Sequence, residues 1–420
     1  MRTINIGLVG AGMFGGDVHL RTYADLERSG IAPWLGRIGM DDFASEFADV
    51  EFNLVGIATR TKESAERATS EFSKLTGNLP LSYWGDTPWI DLLEDSGNNI
   101  DILAVATPDN LHLPPIMEAL ERDVHVITEK PMVLHTREAD SIIQLAKSKR
   151  RLAGLDMHKR YDPDHLKIFY EIIEKLGKML YGQAVLEEPL EVSSKTFKWA
   201  RESDPFTYVA PHWLDLFIYY LGIKPVSLFA VGQKGKLVSM GIDTWDAVQV
   251  SVIFDNGMHI HFVNNWITPP DFEGPVLQRS EILGTEGKVV SHTQDRGLRY
   301  WYTGGGTRTS NTHFTRDVPR PDGSKAYVGY GKDSLIACIL AIMRREFHNA
   351  SDEDLEGTYP TAEEGRLHVV IVEAAAIVRD LNYAYLTTGQ GTPVTARFNE
   401  TGITILDPIG KNQVIYDQPI

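Results

Sequence analysis

Two short segments carry groups that could do redox chemistry together. Gly7-Leu8-Val9-Gly10-Ala11-Gly12-Met13-Phe14-Gly15 ends an apolar run in glycines spaced G-x-G-x-x-G. Between a strand and a helix, such a turn lets backbone amides and a helix N-terminus cradle a dinucleotide pyrophosphate. Met13 and Phe14 fill the variable positions and are expected beside the cofactor with Gly10, Gly12 and Gly15. The second segment, Val126-Ile127-Thr128-Glu129-Lys130-Pro131, sets Lys130 past the end of a later strand, where a bound nicotinamide would lie. Glu129 is counted with it among the cofactor residues. An ammonium there would orient a hydroxyl and stabilise a developing alkoxide, so the pair suggests an oxidoreductase. The plainer alternatives are a tight structural turn and a surface lysine.

The next strand, 52–58, runs into Thr59-Arg60-Thr61. A carboxylate normally stands there to hold the ribose 2′-hydroxyl. Its place is taken by a residue that could pair with a 2′-phosphate. NADP is therefore the preferred cofactor and NAD a possible one, unless Arg60 is only a solvated surface group. Thr107, Pro108 and His112 follow the strand 102–106, at the sheet edge where ligands sit. His112 could border the nicotinamide ribose or simply begin a helix.

These residues need a scaffold in which strands and helices alternate. Strands are expected near 4–9, 52–58, 102–106, 124–128 and 152–156, with helices between them, the first over roughly 12–26. Ile102-Leu103-Ala104-Val105-Ala106 is apolar throughout, as a parallel strand buried on both faces should be. The pattern predicts an α/β Rossmann domain, a doubly wound parallel sheet, over 1–156, with an insertion at about 28–51. After residue 157 the rhythm changes. Strand-like stretches cluster, Asp255-Asn256-Gly257 marks a hairpin, and helices are expected near 211–221, 332–348 and 361–383. Residues 157–420 read as an α+β domain with a large, mainly antiparallel open sheet for substrate binding and oligomerisation. Thr303-Gly304-Gly305-Gly306-Thr307 reads as a mobile loop.

Composition narrows the field. The 420 residues carry a formal net charge of −16 and 43% hydrophobic content, enough for two cores and unsuited to nucleic acid or an anionic membrane. The single cysteine, Cys338, cannot form an internal disulfide, and no Cys/His spacing suggests a metal. With no signal-like or membrane-length apolar run, a cytoplasmic protein is the expectation.

Glu129-Lys130-Pro131, with the glycine turn, the Ala106-Thr107-Pro108…His112 segment, Gly284-Thr285-Glu286-Gly287 and the His212-x-x-Asp215 phrase, resembles the Gfo/Idh/MocA oxidoreductases. The resemblance implies a Rossmann domain followed by an open-sheet domain whose free face forms a homodimer or homotetramer. It implies a sugar, sugar acid or cyclitol as substrate. The lysine matching the family's reactive lysine is Lys130, and the histidine of its Asp-x-x-x-His motif is His212. The aspartate position is Tyr208, a departure. Either His212 works without its usual partner, or Tyr208 shares or takes the acid/base role. A histidine titrates near neutrality and suits transfer in both directions. His158, Arg160 and Trp199 are candidate substrate contacts or ordinary surface. Asp215, one turn after His212, is a further contact or half of a salt bridge. Two rivals stay open: a regulatory NAD(P)-binding protein of the same fold, and an enzyme that uses a tightly bound cofactor for transient oxidation.

Overall fold

The computed structural model describes residues 2–95, 97–304, 306–399, 402–406 and, for the backbone alone, 413–416. It divides into two compact units. The first comprises 1–133, 137–162 and 313–366, the second 134–136, 163–312 and 367–420. The chain leaves the first unit close to the expected break after 156. It then returns to it at His313, so the units are interleaved in sequence.

The first unit is built on six parallel strands: β1 (Arg2–Val9), β2 (Val50–Thr59), β3 (Leu81–Trp84), β4 (Ile102–Val105), β5 (His125–Thr128) and β6 (Ala153–Leu155). Their order is β3-β2-β1-β4-β5-β6. This is the doubly wound order, and its direction reverses between β1 and β4. Every residue of β4 and β5 is buried, as strands covered by helices on both faces require. The segments leaving β1 and β4 therefore flank the crevice where this architecture binds ligands.

The first helix differs from expectation. A wide, π-type turn over Gly15–Leu20 precedes a regular helix at Arg21–Ser29. Such turns accommodate one residue more than an α-helix allows. Here the turn holds His19 fully buried.

The 28–51 insertion packs inward. Trp34, Leu35 and Phe47 are buried with the apolar face of the helix Tyr330–His348. The Arg37 guanidinium grips Asp333 with two bonds, 2.8 and 2.7 Å. On the same helix Lys332 is wholly buried. Its Nζ donates to Asp25 Oδ2 (2.6 Å) and Tyr327 O (3.0 Å), and lies 3.3 Å from the centre of the Trp34 ring. Burial pushes this lysine down to about 8 against the pull of Asp25.

The second unit is a nine-stranded sheet: β7 (Met179–Pro189), β8 (Pro225–Gln233), β9 (Ala247–Phe254), β10 (His259–Thr268), β11 (Leu277–Gly284), β12 (Lys288–His292), and, after two short hairpins, β17 (Thr395–Asn399), β18 (Gly402–Leu406) and β19 (Gln413–Tyr416). Its order is β12-β11-β7-β10-β9-β8-β17-β18-β19. Among the described residues only β7 and β10 pair in parallel, so the sheet is mainly antiparallel as expected. Asp255-Asn256-Gly257 joins β9 to β10, with Gly257 at φ +83°. The expected loop at 303–307 is instead the turn of a hairpin between β13 (Arg299–Tyr302) and β14 (Gly306–Thr309); Gly305 lies outside the described residues. The second hairpin, β15 (Arg316–Pro319) with β16 (Lys325–Val328), belongs to the first unit.

A long helix, Pro205–Leu221, covers one face of this sheet. It begins six residues before the expected 211. Asp204 caps it, accepting from Phe206 N (2.8 Å) and Thr207 N (3.0 Å), while Pro205 fills the first turn. Pro211 sits inside the helix, where it removes a backbone bond. The burial of Phe206, Trp213, Leu214 and Phe217 outweighs that loss.

Asp25 holds both the Lys332 ammonium and the Tyr327 N–H (2.8 Å) in a buried setting. Asp25→Ala is expected to lower the unfolding free energy by about 3–5 kcal/mol, because it strands a buried charge. Urea denaturation of the variant against wild type measures this.

Candidate active site

Gly10 has φ +91°, and a Cβ there would stand 2.4 Å from the Ala106 carbonyl oxygen. The turn thus rests against the segment leaving β4. A Cβ on Gly15 would meet Gly10 O at 2.4 Å, so that position is closed by the helix start. At Gly12 a Cβ would meet nothing within 4 Å. The fold needs the first and third glycines. The second leaves open space over the turn, where a pyrophosphate could approach the backbone. The residues present therefore fit a dinucleotide. A cavity of about 610 Å³ opens beside Gly12 and Met13, with Arg21, Arg67 and Lys74 among its cations and Asp17 and Glu71 among its anions.

Beyond β2, Thr59 Oγ1 donates to Thr61 O (2.9 Å), and Thr61 Oγ1 caps the helix Lys62–Thr76 by accepting from Ser64 N (3.3 Å). Arg60 projects outward with 83% of its side chain exposed, 4.0 Å from the equally exposed Asp86. So loose an exposed pair is worth little and would not hinder an incoming phosphate.

His112 is buried between two carbonyl oxygens, Pro131 O (2.8 Å from Nδ1) and Thr107 O (2.9 Å from Nε2). Burial lowers its pKa, so a single ring N–H serves one of the two. The ring ties the segment after β4 to the segment after β5 and is itself not open to a ligand. Lys130 lies on that second segment, buried, before a cis peptide to Pro131. Glu129 is buried as well, and its Oε1 meets His19 Nε2 at 2.8 Å. Burial, then the charge of Asp156, push the Glu129 carboxyl up to about 7, against His19 and Lys130.

His158 lies in the first unit, just past β6, stacked on Phe14 (5.4 Å, 22°) and Tyr330 (5.8 Å, 29°), with Phe314 at 5.1 Å. Phe14 therefore belongs to an aromatic cluster with His158. Arg160, offered as a substrate contact, is buried and pairs with Glu364 at 2.8 Å. No local motif announced His19, Phe314, Tyr330 or Glu364. Only His19 had a sequence signal, its place just after the glycine turn.

In the second unit, Tyr208 and His212 lie four residues apart and thus on one face of the helix Pro205–Leu221. Tyr208 is half-buried among Phe197 (4.8 Å), Trp199 (5.4 Å) and Trp266 (6.3 Å). Trp199 itself stacks on Phe197 at 4.5 Å and 23°. His212 is buried. Asp215 faces His368 at 3.5 Å, both buried, which is the ion-pair alternative for that residue.

The fold and the open glycine turn define a domain of the dinucleotide-binding class. Residues 4–156 match the model of an oxidoreductase family with an NAD-binding Rossmann fold, and residues 172–290 match the GFO/IDH/MocA C-terminal domain. The chain belongs to the Gfo/Idh/MocA family. It is 30% identical over 136 residues to the uncharacterized oxidoreductase YdgJ of Escherichia coli; the match covers 31% of this chain and 38% of that protein. The fold is similar to GenD2 from gentamicin A biosynthesis in complex with NAD, with a TM-score of 0.65, 16% identity, and 95% and 97% of the two chains covered. It is also similar to scyllo-inositol dehydrogenase from Lactobacillus casei with NAD(H) and scyllo-inositol, with a TM-score of 0.63, 17% identity, and 91% and 98% covered. Among the described residues no helix is long and apolar enough to cross a membrane.

Gly12 and Gly15 are expected to separate in mutation. Gly12→Ala should leave stability within about 0.5 kcal/mol while weakening dinucleotide binding at least about tenfold. Gly15→Ala should cost about 1–3 kcal/mol of stability through overpacking. Thermal unfolding and cofactor fluorescence titration on the same samples measure both.

Proposed function

We propose that the chain transfers hydride between NADP and a carbinol or carbonyl of a sugar, sugar acid or cyclitol. The observation that carries this reading is Lys130, buried just beyond β5 on the sheet whose β1 and β4 ends form the ligand crevice. The nicotinamide would supply the hydride chemistry when bound, and the protein supplies position and proton transfer. In this reading Gly10, Gly12, Met13, Phe14 and Gly15 hold the pyrophosphate end, with Thr107 and Pro108 across the crevice. The Lys130 ammonium orients the substrate hydroxyl and stabilises negative charge on its oxygen. His212 takes the hydroxyl proton, and Tyr208 assists in place of the family's aspartate. Trp199, in contact with Tyr208, is the apolar wall for a sugar face. Arg160 and Asp215, each already paired with a neighbour, drop out of the substrate set.

Arg60 supports the NADP preference, since β2 itself ends in no carboxylate and the exposed guanidinium is held only by a loose, exposed contact with Asp86 that a 2′-phosphate could displace. The scyllo-inositol dehydrogenase of similar fold, described with NAD(H) and scyllo-inositol, supports the cyclitol class. The exposed Val226, Phe229 and Ile253 of β8 and β9 support pairing of a second copy on the open sheet. A cytoplasmic location is part of the same reading.

A panel of cyclitols, aldoses, polyols and uronic acids, assayed with NADP⁺ and NAD⁺ and in reverse with keto-sugars, tests the activity. Silence across the panel with cofactor bound would sink the dehydrogenase reading. On the substrate found, Lys130→Ala should lower kcat about 100-fold or more, with cofactor Kd changed less than about threefold. Equal losses would remove its catalytic role. Arg60→Ala should cut the NADP⁺ over NAD⁺ preference in kcat/KM by about 10–100-fold, the loss of one charge-assisted contact.

A further inference from the structure

One residue before Lys130 stands a buried group of titratable side chains that the proposed transfer does not use. The His19 ring is wholly enclosed. Its Nε2 lies 2.8 Å from Glu129 Oε1 and its Nδ1 lies 2.9 Å from the Tyr23 hydroxyl. Asp156 is also wholly buried, and neither of its carboxylate oxygens has a hydrogen-bond partner among the described residues. One ligand atom from each of His19, Glu129 and Asp156 lies within 4.8 Å of the others. Two carboxyl groups so close in a dry interior resist ionising together, and a cation or a proton must relieve them. A metal would need a lone pair on His19. Both ring nitrogens are already at hydrogen-bonding distance from protein oxygens, so the geometry favours a proton.

The chain Tyr23–His19–Glu129 closes in either of two directions. In one, the Glu129 carboxyl O–H donates to Nε2, and Nδ1–H donates to the Tyr23 oxygen. In the other, Nε2–H donates to the Glu129 carboxylate, and the Tyr23 O–H donates to Nδ1. The first state holds one proton more than the second, and every ring nitrogen is satisfied in both. We infer that Tyr23, His19 and Glu129 form a proton-holding chain whose direction sets the charge beside Lys130, and that His19 is a positioning residue for that lysine.

The surroundings place the change near neutrality. Lys130, Asp156 and the Cys338 thiol of the helix Tyr330–His348 act on the chain electrostatically, and His158 Nδ1 lies 3.6 Å from Asp156 Oδ2. Burial alone would push the Asp156 carboxyl up, but contact with His158 holds it below its usual range. Of the two carboxyls Glu129 is thus the one that keeps the proton, up to about 7. The folded-state value of Glu129 is raised, so its stabilising effect is full below the unfolded value of about 4.5 and is lost as pH rises through about 7.

The role of His19 toward Lys130 rests on the function proposed above; the proton chain itself does not. Infrared difference spectra of the whole chain, stepped from about pH 6 to about pH 8, should lose the carbonyl stretch of a protonated carboxyl. That band should be absent from Glu129→Gln and displaced in Tyr23→Phe, which keeps the packing. Identical spectra from wild type and Glu129→Gln would overturn the chain. So would a stoichiometric metal, found by elemental analysis and lost in His19→Asn. Once a substrate is in hand, Tyr23→Phe should move the inflection of the kcat–pH profile by at least about 0.5 unit. Cofactor Kd should stay within about twofold. An unmoved profile would overturn the positioning role. An intact infrared signature with no turnover on any substrate would support the chain and count against the hydride-transfer reading instead.

Discussion

The contact between the Gly10 turn and the segment leaving β4 governs the first unit. Gly10 N–H bonds to Ala58 O and Ala106 N–H bonds to Val9 O, each at 2.8 Å, which brings the ends of β1, β2 and β4 together. There is no room for a side chain on Gly10 against the Ala106 carbonyl. With the turn seated this closely, the following helix must begin at once, and it does so in the wide turn that carries His19. The crevice, the helix N-terminus and the buried histidine all depend on that approach. Gly12 alone is spared steric duty, and it faces the space a pyrophosphate would need.

Buried charge organises what surrounds this core. Lys332 with Asp25, and Arg37 with Asp333, join pieces of the first unit that are some three hundred residues apart in sequence. Lys332 and Asp25 are both buried and multiply bonded, the condition under which a buried pair can repay its desolvation, whereas Arg37 reaches a buried Asp333 from the surface. The His19–Glu129 contact belongs to the same class but is unevenly satisfied, because Asp156 lies close by with His158 Nδ1 only at 3.6 Å. Burial brings the Glu129 carboxyl to about 7 from below, as it brings the Lys332 ammonium to about 8 from above. In the second unit Asp204 pairs with Arg379 at 2.6 Å, at the head of the helix that carries Tyr208 and His212.

On the proposed reading, in which Tyr208 stands where the family has an aspartate, the tyrosine changes the chemistry that this helix can offer. An aspartate would hold a histidine in its charged form. Tyr208 instead belongs to an aromatic wall with Phe197, Trp199 and Trp266, and its environment is apolar on that side. Such a wall suits the carbon face of a ring substrate. It offers a hydroxyl, rather than a carboxylate, as the polar partner on this turn.

Local signals in the sequence were enough for the alternating strands and helices, the glycine turn, the Asn256-Gly257 hairpin and the position of Lys130. Each of these depends on period, turn chemistry or steric need within a few residues. The start of the helix at Pro205 was misplaced because Pro211 looks like a boundary in sequence, whereas burial of the aromatic face keeps the helix intact through it. The return of 313–366 to the first unit had no local signal. It depends on buried ion pairs and aromatic packing between residues remote in sequence, such as Phe14 with Phe314 and His158 with Tyr330. The same holds for the pairing of Arg160 with Glu364, two residues remote in sequence. Residue type and spacing determined which chemistry this chain could perform. Tertiary packing decided which of its charged side chains stay available, since a charge that finds a buried partner is no longer free to meet a ligand.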